Sequence, residues 1–542
     1  MRTLILLLLA VPSLVWAQTP GKTLAPHVPN RVVVKFSEAP ASLGKAGIEQ
    51  RLPFDATELQ AVTLLHEASA AAVLDFNGLD TKTALERLAG LPGIEYAEPD
   101  FIGEGAGRPF VSLAPYRTPA SQLIPNDPFF SRQWNLLNDG SRPGSRAGAD
   151  VSMPDAWALT TGSEDVVLAI LDSGFNMDHP EFDGRLWTNA GEVAGNGIDD
   201  DGNGYVDDIN GFDFVNEDGD PSDDHGHGSN VGAIAAMTGN NGIGLAGLDW
   251  SSRVMTLKIL NSNNFGSYSD WTEAIRYAAD AGADVINLSV GGSGYSRSME
   301  DAVNYAHAAG VFLAASMMNT NESRVFYPAG YANVFAVGAT DDRDARADPF
   351  FWSPTSGSNF GDHIDVVAPG NEIYGLTADS NTQYSSYWGG TSQASPHVAG
   401  LAALLKALDP QLTPNQIADR IRQTADDGVG DAAEDAPGFD PYYGYGRINA
   451  ARALETVVST STEETPAPFE LSVYPNPTSG PLRIITDQPV TVDLFDVTGR
   501  KLRTQRGTRT TVLNVTDLPA GAYLLSISSP EASVTRLITK LD

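Results

Sequence analysis

Six runs of Val, Ile, Leu and Ala, at residues 166–171, 254–260, 284–290, 311–315, 334–337 and 364–367, constrain this chain more than anything else in it. They are too continuously apolar to alternate between core and solvent, so each predicts a strand buried on both faces. Helical stretches lie between or after them, at 271–281, 298–309 and, longest and richest in Ala and Leu, 392–408. Strands of this kind interleaved with helices predict an α/β fold on a doubly wound parallel sheet. Ligands of such sheets bind beyond the C-terminal ends of the strands. Residues just past each run are therefore the first candidates for chemistry.

The start of the long helix reads Gly390-Thr391-Ser392-Gln393-Ala394-Ser395-Pro396-His397-Val398-Ala399-Gly400. Glycines before it allow a tight turn that leaves a serine at the helix start with its amide facing outward. An anion forming beside Ser392 would meet free N–H groups and the positive end of the helix dipole, as a tetrahedral acyl-transfer intermediate requires. Serine is a weak nucleophile at neutral pH and needs a base, and the base needs a group that orients it. Two other segments offer them. The run 166–171 leads into Asp172-Ser173-Gly174, and Gly226-His227-Gly228-Ser229-Asn230-Val231 opens an Ala-rich helix.

A strand-end Asp, a capping His and a capped helix are each ordinary alone. Together they resemble the three active-site motifs of the subtilisin family of serine peptidases, the subtilases. The serine stretch departs from the family at Gln393, where Met is usual, and the second His of the family's His-Gly-Thr-His is Asn230. The resemblance implies a subtilisin-like serine endopeptidase acting through Asp172, His227 and Ser392; His225 falls outside the alignment. Residues 310–319 resemble the family strand that ends in the oxyanion asparagine, which implies Asn319 as a side-chain donor. Met318 then stands where the family has a glycine lining the pocket for the side chain before the cut bond, so a narrowed pocket favouring small side chains is expected. Gly266-Ser267-Tyr268 and Ser289-Val290-Gly291 resemble the strands that clamp an extended protein or peptide substrate through its main chain. Met318 and Gln393 leave a second reading open, a catalytically silent surface-binding protein on the same fold.

A further cluster is Asp199-Asp200-Asp201-Gly202-Asn203-Gly204-Tyr205-Val206-Asp207-Asp208. Side-chain oxygens of Asp199, Asp201 and Asn203, the Tyr205 carbonyl and the carboxylates of Asp207 and Asp208 suit a hard cation, Ca2+, in a structural role. A solvated acidic loop is the plainer alternative. The chain has no cysteine and no His-Glu-x-x-His, so neither disulfides nor a catalytic zinc is expected.

The ends carry other signals. Residues 1–17 read as a secretory signal peptide whose apolar run is too short to span a membrane, and no other stretch is apolar enough. Strands at 31–36 and 94–100 with a helix at 83–91 resemble the small α+β inhibitory propeptide of subtilases, assigned to 18–115 with a linker at 116–125. The region 103–125, rich in Gly, Pro and Ala, reads as linker and maturation segment. The peptidase domain spans 126–458, and 459–468 is polar and Pro-bearing, a second linker. From 469 to 542, short alternating strands at 482–485, 490–497, 511–515 and 522–528 predict a small β-sandwich. Its segments 473–480, 494–500 and 518–523 resemble the type IX secretion sorting domain, implying export, with release or retention at the cell surface both open. A net charge of −34 argues against a nucleic-acid partner. The expected protein is monomeric and secreted, with its own propeptide as inhibitor and the secretion machinery as a partner.

Overall fold

The computed structural model describes residues 25–37, 48, 52–55, 57–65, 70–105, 108–111, 123–378, 380–382, 384–460, 471–474, 480–486, 489–496, 501–508, 510–516, 518, 521–529 and 533–540. The signal segment, most of both linkers and parts of the sorting motifs, 475–479, 497–500 and 519–520, lie outside these residues. The chain divides into two compact units, Met1–Val458 and Ser459–Asp542.

The first unit begins with β1 (His27–Phe36), β2 (Leu59–Leu64), β3 (Ala71–Phe76), helix α1 (Thr81–Leu88) and β4 (Ile94–Gly105). The strands form an antiparallel sheet in the order β4-β1-β3-β2. The Asp80 carboxylate caps α1 by accepting from Thr83 N, and Ala84 and Leu88, one turn apart, pack on Val32, Val34 and Leu74.

The segment expected to be a linker is in part strand. Gly103 to Gly105 close β4, and β5 (Arg108–Val111) follows. Glycine usually weakens a strand, but here it lets two backbones come close, and the hydrogen bonds come from strands far along the chain.

The central sheet takes β6 (Val167–Asp172) and β7 (Gly211–Asp213); helix α2 (His227–Ala236) precedes β8 (Arg253–Lys258). Then come β9 (Phe265–Ser267), α3 (Tyr268–Asp280), β10 (Val285–Leu288), β11 (Val290–Gly291) and α4 (Arg297–Ala308). They are followed by β12 (Phe312–Ser316), β13 (Phe335–Thr340), β14 (Val366–Pro369), β15 (Ile373–Gly375) and β16 (Ser386–Gly389). Helices α5 (Thr391–Leu408), α6 (Pro414–Thr424) and α7 (Ala450–Thr460) complete the unit; α7 extends into the residues read as the second linker.

Seven strands pair in parallel in the order β14-β13-β12-β10-β6-β8-β7. Both faces are covered, as the apolar runs require. In β6, Leu168 and Ile170 enter the core under α2 and α5, while Ala169 and Leu171 enter the core under α3 and α4. Every residue of α5 from Thr391 to Lys406 is buried, which explains why that helix is apolar and small-sided all round.

The second unit has β17 (Leu471–Tyr474), β18 (Leu482–Thr486), β19 (Val490–Asp496), β20 (Lys501–Gly507), β21 (Thr510–Leu513), β22 (Gly521–Ser528) and β23 (Ser533–Lys540). They make two antiparallel sheets, β17-β18-β21 and β20-β19-β22-β23. Leu482, Ile484 and Leu513 of one share a core with Val492, Leu494 and Leu525 of the other.

Candidate active site

β6 delivers Asp172 to the C-terminal edge of the parallel sheet, where the first turn of α2 meets it. The two side chains are fully buried, and His227 Nδ1 lies 2.6 Å from Asp172 Oδ1. Gly228 is jammed against this strand end, since a Cβ there would sit 2.1 Å from the Gly174 carbonyl oxygen. Asp223 organises the approach: it accepts from Ser173 Oγ, from His225 N and Gly226 N, and from Ser229 N and Oγ. Lys258, also buried, donates to the Ser173 and Leu260 carbonyls and to Asp224. Reading the sequence missed both residues. The signal for Asp223 was there, a carboxylate four residues before a helix-opening His, where N-terminal amides seek an acceptor.

Ser392 sits in the first turn of α5. Its Oγ donates to the Ser289 carbonyl at 2.9 Å, and Ser289 Oγ donates back to the Ser392 carbonyl at 2.9 Å. Pro396 makes the second bond available. Lacking an N–H, it leaves the carbonyl four residues earlier, that of Ser392, without its helical donor, and Ser289 supplies one. Asn287 donates to Ser289 Oγ and accepts from Ser395 Oγ, tying β10 to the same turn. Asn319 Oδ1 accepts from Thr391 N (2.8 Å) and Thr391 Oγ1 (3.1 Å), so the NH2 group is the donor this side chain retains. Among the described residues, His227 Nε2 has no hydrogen-bond partner.

Two of the three departures from the family pattern meet each other. Gln393 Nε2 donates to Asn230 Oδ1 at 3.0 Å, both side chains fully buried, and the bond joins α5 to α2. Asn230 in turn donates to the Leu376 carbonyl at 3.4 Å.

β4 lies between the two strands named from the sequence as substrate clamps. Ile102, Gly103 and Glu104 pair antiparallel with Ser267, Gly266 and Phe265, while Glu104 and Gly105 pair with Gly291 and Val290. Further along the chain, Arg108 pairs with Gly389, three residues before Ser392. Tyr268, buried, packs its ring on Phe101 and Trp271.

Two carboxylates of β4 seat this segment on helix N-termini. Glu98 accepts from Ser296 Oγ, Arg297 N, Ser298 N and Ser298 Oγ at the head of α4, and Asp100 from Ser269 N and Oγ at the head of α3. A cavity of about 600 Å³ beside Gly105 is lined by His225, Asn264, Met318, Asn319 and Trp352 among others. Met318, buried on Phe326, has φ 72° and brings its sulfur against Gly291, where a Cβ would lie 2.6 Å away.

The acidic loop is only partly arranged as its spacing suggests. One oxygen each from Glu192, Asp199 and Asp201 lie within 4.8 Å of one another, a hard-oxygen set that suits a divalent cation. Asn203 donates to Asp201 and Asp208. Asp207 accepts from Asn196 N and Gly197 N, and Asp208, fully buried, from Tyr277 Oη and Asn189 Nδ2. The Tyr205 ring packs among Phe212, Phe214 and Tyr277, with its hydroxyl on Glu273. Glu192, nearby in space but outside the run of aspartates, was not legible from spacing.

Comparison with known proteins bears on all three parts of the chain. Residues 17–100 match the fervidolysin N-terminal prodomain, 163–446 the subtilase family, and 472–540 the secretion system C-terminal sorting domain. A thermophilic serine proteinase of Bacillus sp. (strain AK1) is 35% identical over 401 residues, covering 72% of this chain and 82% of that protein. Thermitase of Thermoactinomyces vulgaris is 33% identical over 332 residues, 61% of this chain and 99% of its own. The crystal structure of fervidolysin from Fervidobacterium pennivorans, 20% identical, superposes with a TM-score of 0.60 over 95% of this chain and 77% of that one, which supports the shared fold. With its parallel sheet, its prodomain and its serine-bearing helix accounted for, the chain belongs to the subtilase family of serine peptidases.

Proposed function

We propose that Asp172, His227 and Ser392 carry the hydrolysis in this secreted serine endopeptidase, with the Ser392 amide and Asn319 as the oxyanion donors. The observation that supports this most is the buried Asp172–His227 pair at 2.6 Å beside a serine at a helix N-terminus. In the reaction Ser392 Oγ gives up its bond to the Ser289 carbonyl, and His227 Nε2, which has no hydrogen-bond partner among the described residues, takes the hydroxyl proton as Oγ attacks the scissile carbonyl. Asp172 keeps the imidazole in the tautomer that bears its proton on Nδ1 and stabilises the imidazolium. The oxyanion accepts from the two donors as charge builds on it. The imidazolium then protonates the departing amine, and water resolves the acyl-enzyme by the same steps in reverse roles. The silent-binder alternative loses one of its two supports, since Gln393 is accommodated by Asn230.

The N-terminal region acts as an inhibitory propeptide, and its β4 seats in the cleft as a substrate strand does. We propose that the maturation cut falls between Gly105 and Arg108. The support is register: the chain pairs with Val290 at Gly105 and with Gly389 at Arg108, on either side of Ser392. The C-terminal unit directs export. Glu192, Asp199 and Asp201, assisted by Asn203, would hold a calcium ion whose role is to tie the 189–208 loop down.

A fluorophosphonate probe tests the core of this reading. It is expected to label Ser392 in the mature enzyme, and Ser392→Ala to abolish labelling and lower kcat by about 10⁴-fold or more while the fold persists. Hydrolysis near the wild-type rate in that variant overturns the assignment.

A further inference from the structure

We infer that the cleft selects extended chains with glycine at two alternating positions before the cut bond, a Gly-X-Gly pattern, because Trp271 closes the wall at the first and Asn264 at the second. The inference rests on the peptidase reading above and adds its substrate class.

The chain's own β4 shows what the cleft admits. Gly103 and Gly105 face the wall, and Glu104 between them is exposed. A Cβ built on Gly103 would lie 2.2 Å from Trp271 Cη2 and 2.9 Å from the Gly291 carbonyl oxygen. Neither can yield cheaply. The indole is fully buried, donates from Nε1 to the Ile259 carbonyl at 3.1 Å and stacks on Tyr268 at 5.1 Å between ring centroids. The Gly291 carbonyl belongs to the pairing strand itself.

At Gly105 the obstacle is softer. A Cβ there would lie 2.4 Å from Asn264 Oδ1, but that is the tip of a short polar side chain, held by its Nδ2 bond to the Gly105 carbonyl at 3.1 Å. Any peptide that pairs with β9 and β11 in this register meets the same two walls. The side chain at the intervening position, Glu104 here, points to solvent and is free to vary. The favoured substrates are therefore glycine-rich segments that can lie extended, with the first glycine the stricter requirement.

The test uses peptides with the sequence of residues 101–108, carrying Gly, Ala or Val at the place of Gly103 or of Gly105, and the enzyme matured from the full-length chain. At the first position kcat/KM is expected to fall about 10-fold for Ala and about 100-fold for Val, and at the second about 10-fold for Val. Trp271→Leu should recover most of the loss at the first position and none at the second. A catalysis-independent arm uses the full-length Ser392→Ala chain. There Gly103→Val should raise amide hydrogen exchange across 102–105, and adding Trp271→Leu should restore protection. Equal rates within threefold for Gly and Val peptides, or unchanged exchange on Gly103→Val, overturn the inference. If no peptide is cut and no fluorophosphonate label is taken up, the peptidase reading falls, and the exchange comparison alone then supports the cleft's selectivity or overturns it.

Discussion

The seven-stranded parallel sheet and the antiparallel sheet that crosses the cleft are held together in different ways. The parallel sheet is self-contained: its strands are buried on both faces and its helices lie between or after them in the chain. The cleft sheet joins β4 to β9 and β11, segments more than 150 residues apart, by short runs of main-chain pairing. Side-chain anchors at Glu98 and Asp100 hold it from the side. One is a permanent core; the other is a seat that one of its strands must leave before a substrate can enter. Measurements that disturb one sheet and spare the other test this division.

The largest effect is expected at the anchors. Glu98→Ala with Asp100→Ala removes buried acceptors and leaves the donors at two helix N-termini unpaired, about 2 kcal/mol each, so the hold of the N-terminal region on the body should weaken by about 10³-fold. Inhibition constants of the separately supplied region check this, and the melting temperature of the mature enzyme should not change.

The same anchors give the seat a pH dependence. Burial pushes the Asp100 carboxyl up to about 6. Burial, with Asp100 close by, pushes Asp270 up to about 7, and burial also raises Glu98. Arg31 and the Ser267 and Ser269 hydroxyls favour the ionised forms but do not cancel the shifts. Groups with raised pKa values in the seated state take up protons on seating, so the hold is firmest below the free carboxylate range, near pH 4, and loosens as pH rises to about 7. Inhibition should therefore be tighter at pH 5 than at pH 8, and Asp100→Asn should flatten the profile.

Legibility in the sequence follows the same division. Six of the seven strands of the parallel sheet could be read to within a few residues because burial on both faces writes a continuous apolar run; β7, three residues long at the sheet's edge, writes none. Asp172, His227 and Ser392 stood where such a sheet puts its chemistry. The cleft strands carry no such run. β5 exists because it pairs with the remote β16; β15 and β16 are too short to show a pattern; and the glycines of 103–105, which look like a break in one dimension, are what allow the backbones to approach. Glu192 escaped because Asp199 and Asp201 come to it only when the loop folds back, and Asp223, though it stands four residues before a helix-opening His, meets the remote Ser173 hydroxyl only after folding.

A calcium titration probes the body without touching the cleft. If Glu192, Asp199 and Asp201 hold a cation in the native state alone, calcium at 100 times its Kd stabilises by about 2.7 kcal/mol, which raises Tm by several degrees. Asp201→Ala should abolish that increment and leave inhibition by the N-terminal region unchanged. A chelator that leaves Tm unmoved would remove the site from the account.

The smallest effect belongs to the bond between α2 and α5. Gln393→Met leaves Asn230 Oδ1 buried without its donor, and Asn230→His removes the acceptor from Gln393, so each single change should cost about 1–2 kcal/mol in stability. The pair spans the helices that carry His227 and Ser392, so a change in their spacing also appears in kcat. Because the two residues touch, their effects should not add: the double variant, which installs the side chains usual in the family, should recover about 1 kcal/mol relative to the sum of the singles. Urea unfolding and kcat for all four proteins close the cycle. Additivity within about 0.3 kcal/mol would mean that the two departures arose without reference to each other, and that the body tolerates them one at a time. Coupling in stability with unchanged kcat would place the bond's role in packing the helices, while coupling in both would make it part of what sets the distance between base and nucleophile.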